Sequence, residues 1–211
     1  MADELFGMIK IFSRRKGTPT VRVSVFALAA LLAFFAADFS VWTLLCLSAA
    51  LLHETAHIAA ALLCREKIDA VNIYPFGAEI RIKGGISSYA KDLVISSAGI
   101  AVNLLLFLVF FAAAGVHLKF FAAANLVLAA VNVIPARGLD GGRIAEDILF
   151  MLLDYTLASS VYLTLTYAAM GVLVTAAVGA VVVSGGNVSA AFVCAYMLIA
   201  VYVKEKCGVG T

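Results

Sequence analysis

The sequence predicts an all-α polytopic membrane protein, with about six transmembrane helices and a small β-hairpin at residues 67–83. Of its 211 residues, 64% are hydrophobic and 13% are charged, and the mean hydropathy is +1.07. Soluble domains have about 45–50% apolar and about 25% charged residues. The apolar residues also fall into runs, several of them near the roughly 20 residues that a membrane-crossing helix needs. These observations exclude disorder, a coiled coil, a secreted disulfide scaffold and an ordinary cytosolic enzyme.

Six apolar runs are interpreted as spans of one domain that covers residues 1–211. The first run could be the core of a signal peptide. No small-residue cleavage site precedes a soluble domain, however, and the chain re-enters an apolar run at once, so we expect this span to be retained. The runs cover approximately residues 21–37, 39–64, 93–116, 120–135, 158–183 and 188–203.

The charged residues predict the orientation of the spans. With six spans, both termini lie on one side of the membrane, together with the loops at 65–92 and 136–157. That side holds every Lys and Arg except Lys119. By the positive-inside rule it is the cytoplasmic side. The formal net charge of +2 and the absence of a basic stripe argue against nucleic-acid binding.

Residues 67–83 differ from the rest of the chain. They alternate apolar and polar residues on both sides of Pro75-Phe76-Gly77, which predicts two strands joined by a turn. Two strands alone are marginally stable, so the hairpin is expected to lean on the helices or on the lipid surface. The alternative is an amphipathic loop without strands.

The second span contains His53-Glu54-Thr55-Ala56-His57, an HExxH motif in an apolar helix. Residues i and i+4 share a helix face, so both imidazoles can bind one Zn²⁺. Glu54 follows the first histidine and can act as general base toward the water that zinc activates. The alternative is a pair of structural histidines, which would leave a carboxylate in an apolar span in need of its own partner.

A catalytic zinc ion needs a third protein ligand. Asp140 is the most attractive acidic residue, because it lies in a Pro- and Gly-interrupted segment after the fourth span, and such backbone at membrane depth lines cavities. The alternative for Asp140 is the N-cap of a helix over residues 141–153. Less well placed are Asp38, Glu66, Asp69 and Glu79. The four cysteines have no metal-ligand spacing and are interpreted as small hydrophobic residues or free thiols: Cys46, Cys64, Cys194 and Cys207.

Together these motifs resemble the site-2 protease family of intramembrane zinc metalloproteases. The HExxH span is followed some 80 residues later by Asn132-x-x-Pro-x-x-x-Leu-Asp140-Gly-Gly. Tyr74-Pro75-Phe76-Gly77 is similar to the family's Pro-Phe-Gly hairpin, and Gly99-Ile-Ala-Val-Asn103 is similar to its Gly-Pro-x-x-Asn element. Ile100 and Gly138 stand where many relatives have proline. The resemblance is to the compact type of stage IV sporulation protein FB, without a PDZ or CBS domain.

The resemblance implies one Zn²⁺ per chain, with His53, His57 and Asp140 as ligands and Glu54 as general base. Asn132 would bind the substrate backbone or the oxyanion, or else form an inter-helix hydrogen bond. Asn103 would have a packing or hydrogen-bonding role. The family also implies a multi-pass protein of the bacterial cytoplasmic membrane, with its active site near the cytoplasmic side.

The expected function is hydrolysis of a peptide bond in or near a transmembrane segment of a membrane-protein substrate, such as a sporulation sigma-factor precursor. A regulatory membrane partner or a homo-oligomer is compatible with this function. The hairpin offers edge strands that could hold an extended substrate by β-addition. Two other functions are considered, a non-catalytic membrane adaptor and a metal transporter that retains the fold. Cleavage of a membrane substrate that is lost in Glu54→Gln would distinguish the protease from the adaptor and the transporter.

Overall fold

The computed structural model describes residues 8–12, 19–37, 39–74 and 77–183. Asp38, the Pro75-Phe76 turn and the predicted span at 188–203 lie outside the described residues. The described part contains four strands, β1 Met8–Phe12, β2 Thr20–Ser24, β3 Ile68–Tyr74 and β4 Gly77–Ile82. It also contains six helices, α1 Val25–Ala37, α2 Val41–Leu63, α3 Tyr89–Phe111, α4 Val116–Asn132, α5 Asp140–Leu152 and α6 Tyr155–Val183.

These elements belong to two compact units. The first, within residues 1–132, contains the four strands and α1 to α4, and the second, within residues 133–211, contains α5 and α6. Among the described residues, three helical segments are long and apolar enough to cross a membrane: Val41–Leu63, Tyr89–Phe111 and Tyr155–Ala176. Val116–Asn132 is a shorter apolar helix. The chain is therefore a helical membrane protein, as predicted, and the number of six spans stays a prediction.

The predicted hairpin is confirmed as part of a larger sheet. Strand β3 pairs antiparallel with β4, and the strand order is β1-β2-β3-β4. Strand β2 runs parallel to β3 and antiparallel to β1. The two additional strands explain how a hairpin that would be marginal alone is stabilised.

Strand β2 and the helix that follows it are continuous in the sequence. Residues Thr20–Ser24 alternate β-branched and polar side chains, but they continue directly into the apolar residues of α1. The run at 21–37 therefore looks like one span. Helix α1 itself has 13 residues, a length of about 20 Å at about 1.5 Å per residue.

Helices α2, α3 and α4 pack on one another in the first unit. Ser40 caps the start of α2, because its hydroxyl accepts a hydrogen bond from the Thr43 amide. Small residues on the packed faces let helix backbones approach closely in a membrane. The buried small residues are Ala49, Ala60 and Ala61 on α2, Gly99 on α3, and Ala122 and Ala129 on α4.

A polar cluster joins the end of α2 to the start of α3. Glu66 Oε1 accepts hydrogen bonds from Lys91 Nζ at 2.8 Å and from Ser87 Oγ at 2.6 Å. The hydrogen bonds from Lys91 and Ser87 hold the pKa of the Glu66 carboxyl below its ordinary value of 4.5. This cluster helps to fix α3 beside the C-terminal end of the HExxH helix.

In the second unit α5 packs on α6. Ala158 and Tyr162 are buried on α6, and the guanidinium of Arg137 lies 6.0 Å from the centre of the Tyr162 ring. This cation–π contact attaches the segment that precedes Asp140 to α6.

Candidate metal centre and catalytic base

Helix α2 presents two buried histidines on one face. His53 and His57 are one turn apart, and their side chains are nearly inaccessible, at 5% and 8% relative exposure. Their Nε2 atoms lie 3.2 Å apart, and the ring planes are nearly perpendicular at 87°. The i, i+4 spacing therefore brings the imidazoles together, as the sequence predicts.

A backbone carbonyl of α3 determines the tautomer of His57. The distance from His57 Nδ1 to the Ile95 oxygen is 2.7 Å. A carbonyl oxygen can only accept, so Nδ1 carries the proton and donates it. The lone pair of Nε2 is then left to face His53. Metal-binding histidines commonly use their second nitrogen in this way.

The separation of the two Nε2 atoms fits a shared zinc ion. In a tetrahedral site with zinc–nitrogen bonds of about 2.0–2.1 Å, two ligand nitrogens lie about 3.3–3.4 Å apart. The observed 3.2 Å is close to this spacing. The donor chemistry also fits, because neutral imidazoles are among the preferred ligands of zinc.

Gly99 on α3 makes room for these rings. A Cβ atom at this position would lie 2.5 Å from His57 Nε2 and 2.6 Å from His53 Cε1. Any other residue would therefore place an atom against the nitrogen that is expected to bind the metal. A glycine here lets α3 approach α2 and leaves the Nε2 atoms accessible to an ion.

Glu54 lies beside the histidines on α2 and contacts the start of strand β4. Its Oε1 atom would be 3.0 Å from a Cβ atom on Gly77. Gly77 has a φ of +121°, which side-chain-bearing residues rarely adopt. The first unit thus holds two convergent imidazoles, and the carboxylate of the adjacent residue is packed against the hairpin.

Asp140 belongs to the second unit, where α5 begins. The N-cap position of α5 is Leu139, and no side chain caps the helix there, so the alternative interpretation of Asp140 as the N-cap is wrong. Its carboxylate lies in the first helical turn, where the positive end of the helix dipole favours an anion. Its role as the third metal ligand, beside His53 and His57, stays a prediction.

The Gly-Gly pair after Asp140 packs against the preceding loop. A Cβ atom on Gly141 would overlap the Val133 carbonyl, and one on Gly142 would overlap the Ala136 carbonyl. In the same loop Gly138 has a φ of +91°. Proline is fixed near −65°, so a proline at position 138 could not adopt this conformation.

The two asparagines of the motifs lie on α4 and α3. Asn132 Nδ2 donates to the Leu128 carbonyl at 3.0 Å, within its own helix. Its role toward an oxyanion stays a prediction. Asn103 is fully buried, and neither of its amide atoms has a hydrogen-bond partner within the described part of the chain.

Three contributors to this site were not assigned by sequence reasoning. The Ile95 carbonyl is backbone, so its residue type carries no signal. Gly77 and Gly99 were noted only as parts of motifs. The sequence does carry a signal for the role of α3. Ser96, Gly99 and Asn103 recur at i, i+3 and i+7 in an otherwise apolar helix, so small and polar residues line one of its faces.

The fold and these residues first define a class of protein. It is a polytopic helical membrane protein in which two buried histidines converge on one face of an apolar helix. No known family model matches the chain, and no curated protein matches it. Among solved structures, the Site-2 Protease from Methanocaldococcus jannaschii matches with a TM-score of 0.64 and 20% sequence identity, over 94% of each chain. This chain therefore has the fold of that site-2 protease, which supports the resemblance predicted from its motifs.

Proposed function

We propose that this protein is an intramembrane zinc metalloendopeptidase that hydrolyses a peptide bond in or near a transmembrane segment of another membrane protein. One observation carries the proposal. On a helix long enough to cross the membrane, the buried Nε2 atoms of His53 and His57 lie 3.2 Å apart. His57 Nδ1 donates a hydrogen bond to the Ile95 carbonyl. Glu54 is the adjacent residue on the same helix.

In this proposal His53, His57 and Asp140 hold one Zn²⁺ per chain. A bound zinc ion supplies Lewis-acid chemistry, polarising the scissile carbonyl and lowering the pKa of water. Glu54 accepts a proton from the attacking water and then donates it to the leaving amine. Asn132 hydrogen-bonds the substrate backbone or the developing oxyanion.

The substrate must expose a peptide bond that a helix normally hides. A transmembrane helix keeps its amides in intrachain hydrogen bonds, so the substrate has to unwind before hydrolysis. Strand β4 lies at the end of the strand order and pairs with β3 on one side only within the described sheet. An extended substrate segment that adds to β4 would be held near Glu54. Substrate cross-links that map to other regions near the zinc, and never to residues 70–82, would refute this role.

The active site is proposed to lie close to the cytoplasmic face. Helix α2 ends at Leu63, six residues after His57, a distance of about 9 Å along the helix axis. The positive-inside rule assigns this end of α2 to the cytoplasm, together with both termini. Water would then reach the site from the cytoplasm.

Glu54→Gln tests the catalytic assignment. The variant keeps the size of the side chain and removes its basicity, so it should retain zinc and lose cleavage. Zinc is measured by metal analysis of the purified protein. Cleavage is measured as membrane-protein fragments that accumulate with the native chain and not with Glu54→Gln. The fragments also show whether a sigma-factor precursor is a substrate.

The outcomes separate the competing functions. Equal fragment patterns from the native chain and Glu54→Gln would contradict the protease. If cleavage were absent and zinc flux across vesicles depended on the native histidines, the chain would be a transporter. A bound partner protein that stays intact would identify an adaptor.

Asp140→Asn tests the third ligand. The amide is a weaker zinc donor than the carboxylate, so we expect at least about a tenfold loss of zinc affinity. A matched control is Asp69→Asn, which changes an exposed acid on strand β3. An unchanged zinc affinity in Asp140→Asn would remove Asp140 from the ligand set.

A further inference from the structure

The proposed function leaves the position of the general base unexplained. Glu54 has three rotatable side-chain bonds, and a base displaced by about 1 Å can lose about 100-fold in rate. In the described structure the first residue of strand β4 lies directly against its carboxylate. We propose that Gly77 is a positioning residue for Glu54, with the β3–β4 hairpin serving as a rigid stop against which the carboxylate rests. This inference depends on the proposed role of Glu54.

The first argument is steric. The Glu54 Oε1 atom lies 3.0 Å from the position that a Cβ atom on Gly77 would take, whereas ordinary contacts begin near 3.4 Å. A Cβ atom at position 77 would therefore press on the carboxylate and displace it by a few tenths of an ångström. Gly84 and Gly85, in the loop after β4, also have positive φ angles, but nothing lies within 4 Å of their Cβ positions. Contact with the general base thus distinguishes Gly77 from glycines that serve a turn alone.

The second argument concerns what keeps Gly77 in place. Gly77 pairs with Tyr74 in the β3–β4 register, and Asn72 pairs with Glu79 on the same face. The Glu79 carboxylate accepts hydrogen bonds from Asn72 Nδ2 at 3.0 Å and from Tyr74 Oη at 3.2 Å. Asn72 and Tyr74 are buried, at 0% and 5% exposure. Buried cross-strand contacts of this kind fix strand register, and so they fix the end of β4 that meets Glu54.

Gly77→Ala is the first test, with Gly84→Ala as its matched control. Both variants force an alanine into a positive φ, but only the first adds a methyl group against Glu54. In the zinc-loaded protein, with a membrane protein whose cleavage requires Glu54 as the probe, Gly77→Ala should lower kcat by about tenfold. KM and bound zinc should stay near those of Gly84→Ala. Equal kcat values in the two variants would overturn the proposal.

The same pair of variants in a Glu54→Asp background separates positioning from general damage. Aspartate is one methylene shorter and withdraws the carboxylate from Gly77. In the Glu54→Asp background, Gly77→Ala should lower kcat by less than about threefold, compared with about tenfold when Glu54 is present. This difference would show that residues 54 and 77 are coupled. The same factor in both backgrounds would show that the hairpin is merely distorted, and would also overturn the proposal.

Cross-linking tests the contact without any cleavage assay, even if Gly77→Ala folds poorly. In a zinc-free chain lacking its four native cysteines, Gly77→Cys and Glu54→Cys should be joined by a short methanethiosulfonate linker. The positive control is Glu66→Cys with Ser87→Cys, whose native side chains meet at 2.6 Å. Linkage of the control pair alone would overturn the proposal. Cleavage by Glu54→Gln would instead overturn the proposed function, and the cross-link would still report whether Gly77 meets residue 54.

Discussion

Gly99→Ala is expected to remove zinc without unfolding the protein. Its Cβ atom would lie 2.5 Å from His57 Nε2, about 0.9 Å closer than the 3.4 Å at which ordinary contacts begin. Zinc sites keep their ligand distances within about 0.2 Å, so a displacement of this size is several times what the site tolerates. We expect zinc affinity to fall by at least about 100-fold, which corresponds to about 2.7 kcal/mol.

The effect on the metal-free protein should be small by comparison. Replacing a glycine inside a helix with alanine stabilises the helix by roughly 0.5–1 kcal/mol. This gain opposes the overlap with the two rings, which can shift slightly when no metal holds them. Zinc is expected to raise the Tm of the native chain, and this increase should be largely lost in Gly99→Ala, while the Tm without zinc changes little.

Zinc titration against a competing chelator, together with thermal unfolding with and without zinc, measures both quantities. Gly171→Ala is the matched control, because Gly171 lies inside α6 and nothing is within 4 Å of its Cβ position. The control should bind zinc like the native chain. If Gly99→Ala also bound zinc with native affinity, Gly99 would not be what keeps the Nε2 atoms accessible.

Two further predictions concern the start of α5 and the α2–α3 junction. Gly141→Ala should lower zinc affinity by about tenfold or more, because its methyl group would overlap the Val133 carbonyl and displace Asp140, and chelator titration measures this. Glu66→Gln should lower the Tm at neutral pH. The fold lowers the pKa of Glu66, mainly through its hydrogen bond from Lys91, so this stabilisation is present above pH 4.5 and lost as the pH falls through the lowered pKa. Tm values of both forms from pH 7 to 3 should converge on acidification, and a constant difference would contradict the assignment.

The sequence predicted the elements whose signal is periodic. The i, i+4 spacing of His53 and His57 was enough to expect two rings on one helix face, and the alternation around residues 68–82 was enough to expect a hairpin. The long apolar runs marked α2, α3 and α6. Each of these signals depends on side-chain chemistry repeated at the period of a helix or a strand.

The sequence could not predict the contacts made by backbone atoms or by the absence of a side chain. The Ile95 carbonyl that fixes the His57 tautomer would be present with any residue at position 95. Strand β2 was hidden because the valines of a strand and those of a membrane helix look alike in a short apolar run. The partners of Gly77 and Gly99 are distant along the chain, so only the tertiary structure shows what a methyl group would meet.

One turn of α3 controls the histidine pair in two ways. The Ile95 carbonyl accepts from His57 Nδ1, and Gly99, four residues later on the same face, leaves the space in front of Nε2. A rotation of α3 or a shift along its axis would disturb both contacts at once. The HExxH motif supplies the ligand atoms, but the tautomer and the access of an ion depend on how α3 packs against α2. A chain that retained the motif and lost this packing would keep both histidines and lose the geometry that suits them to zinc.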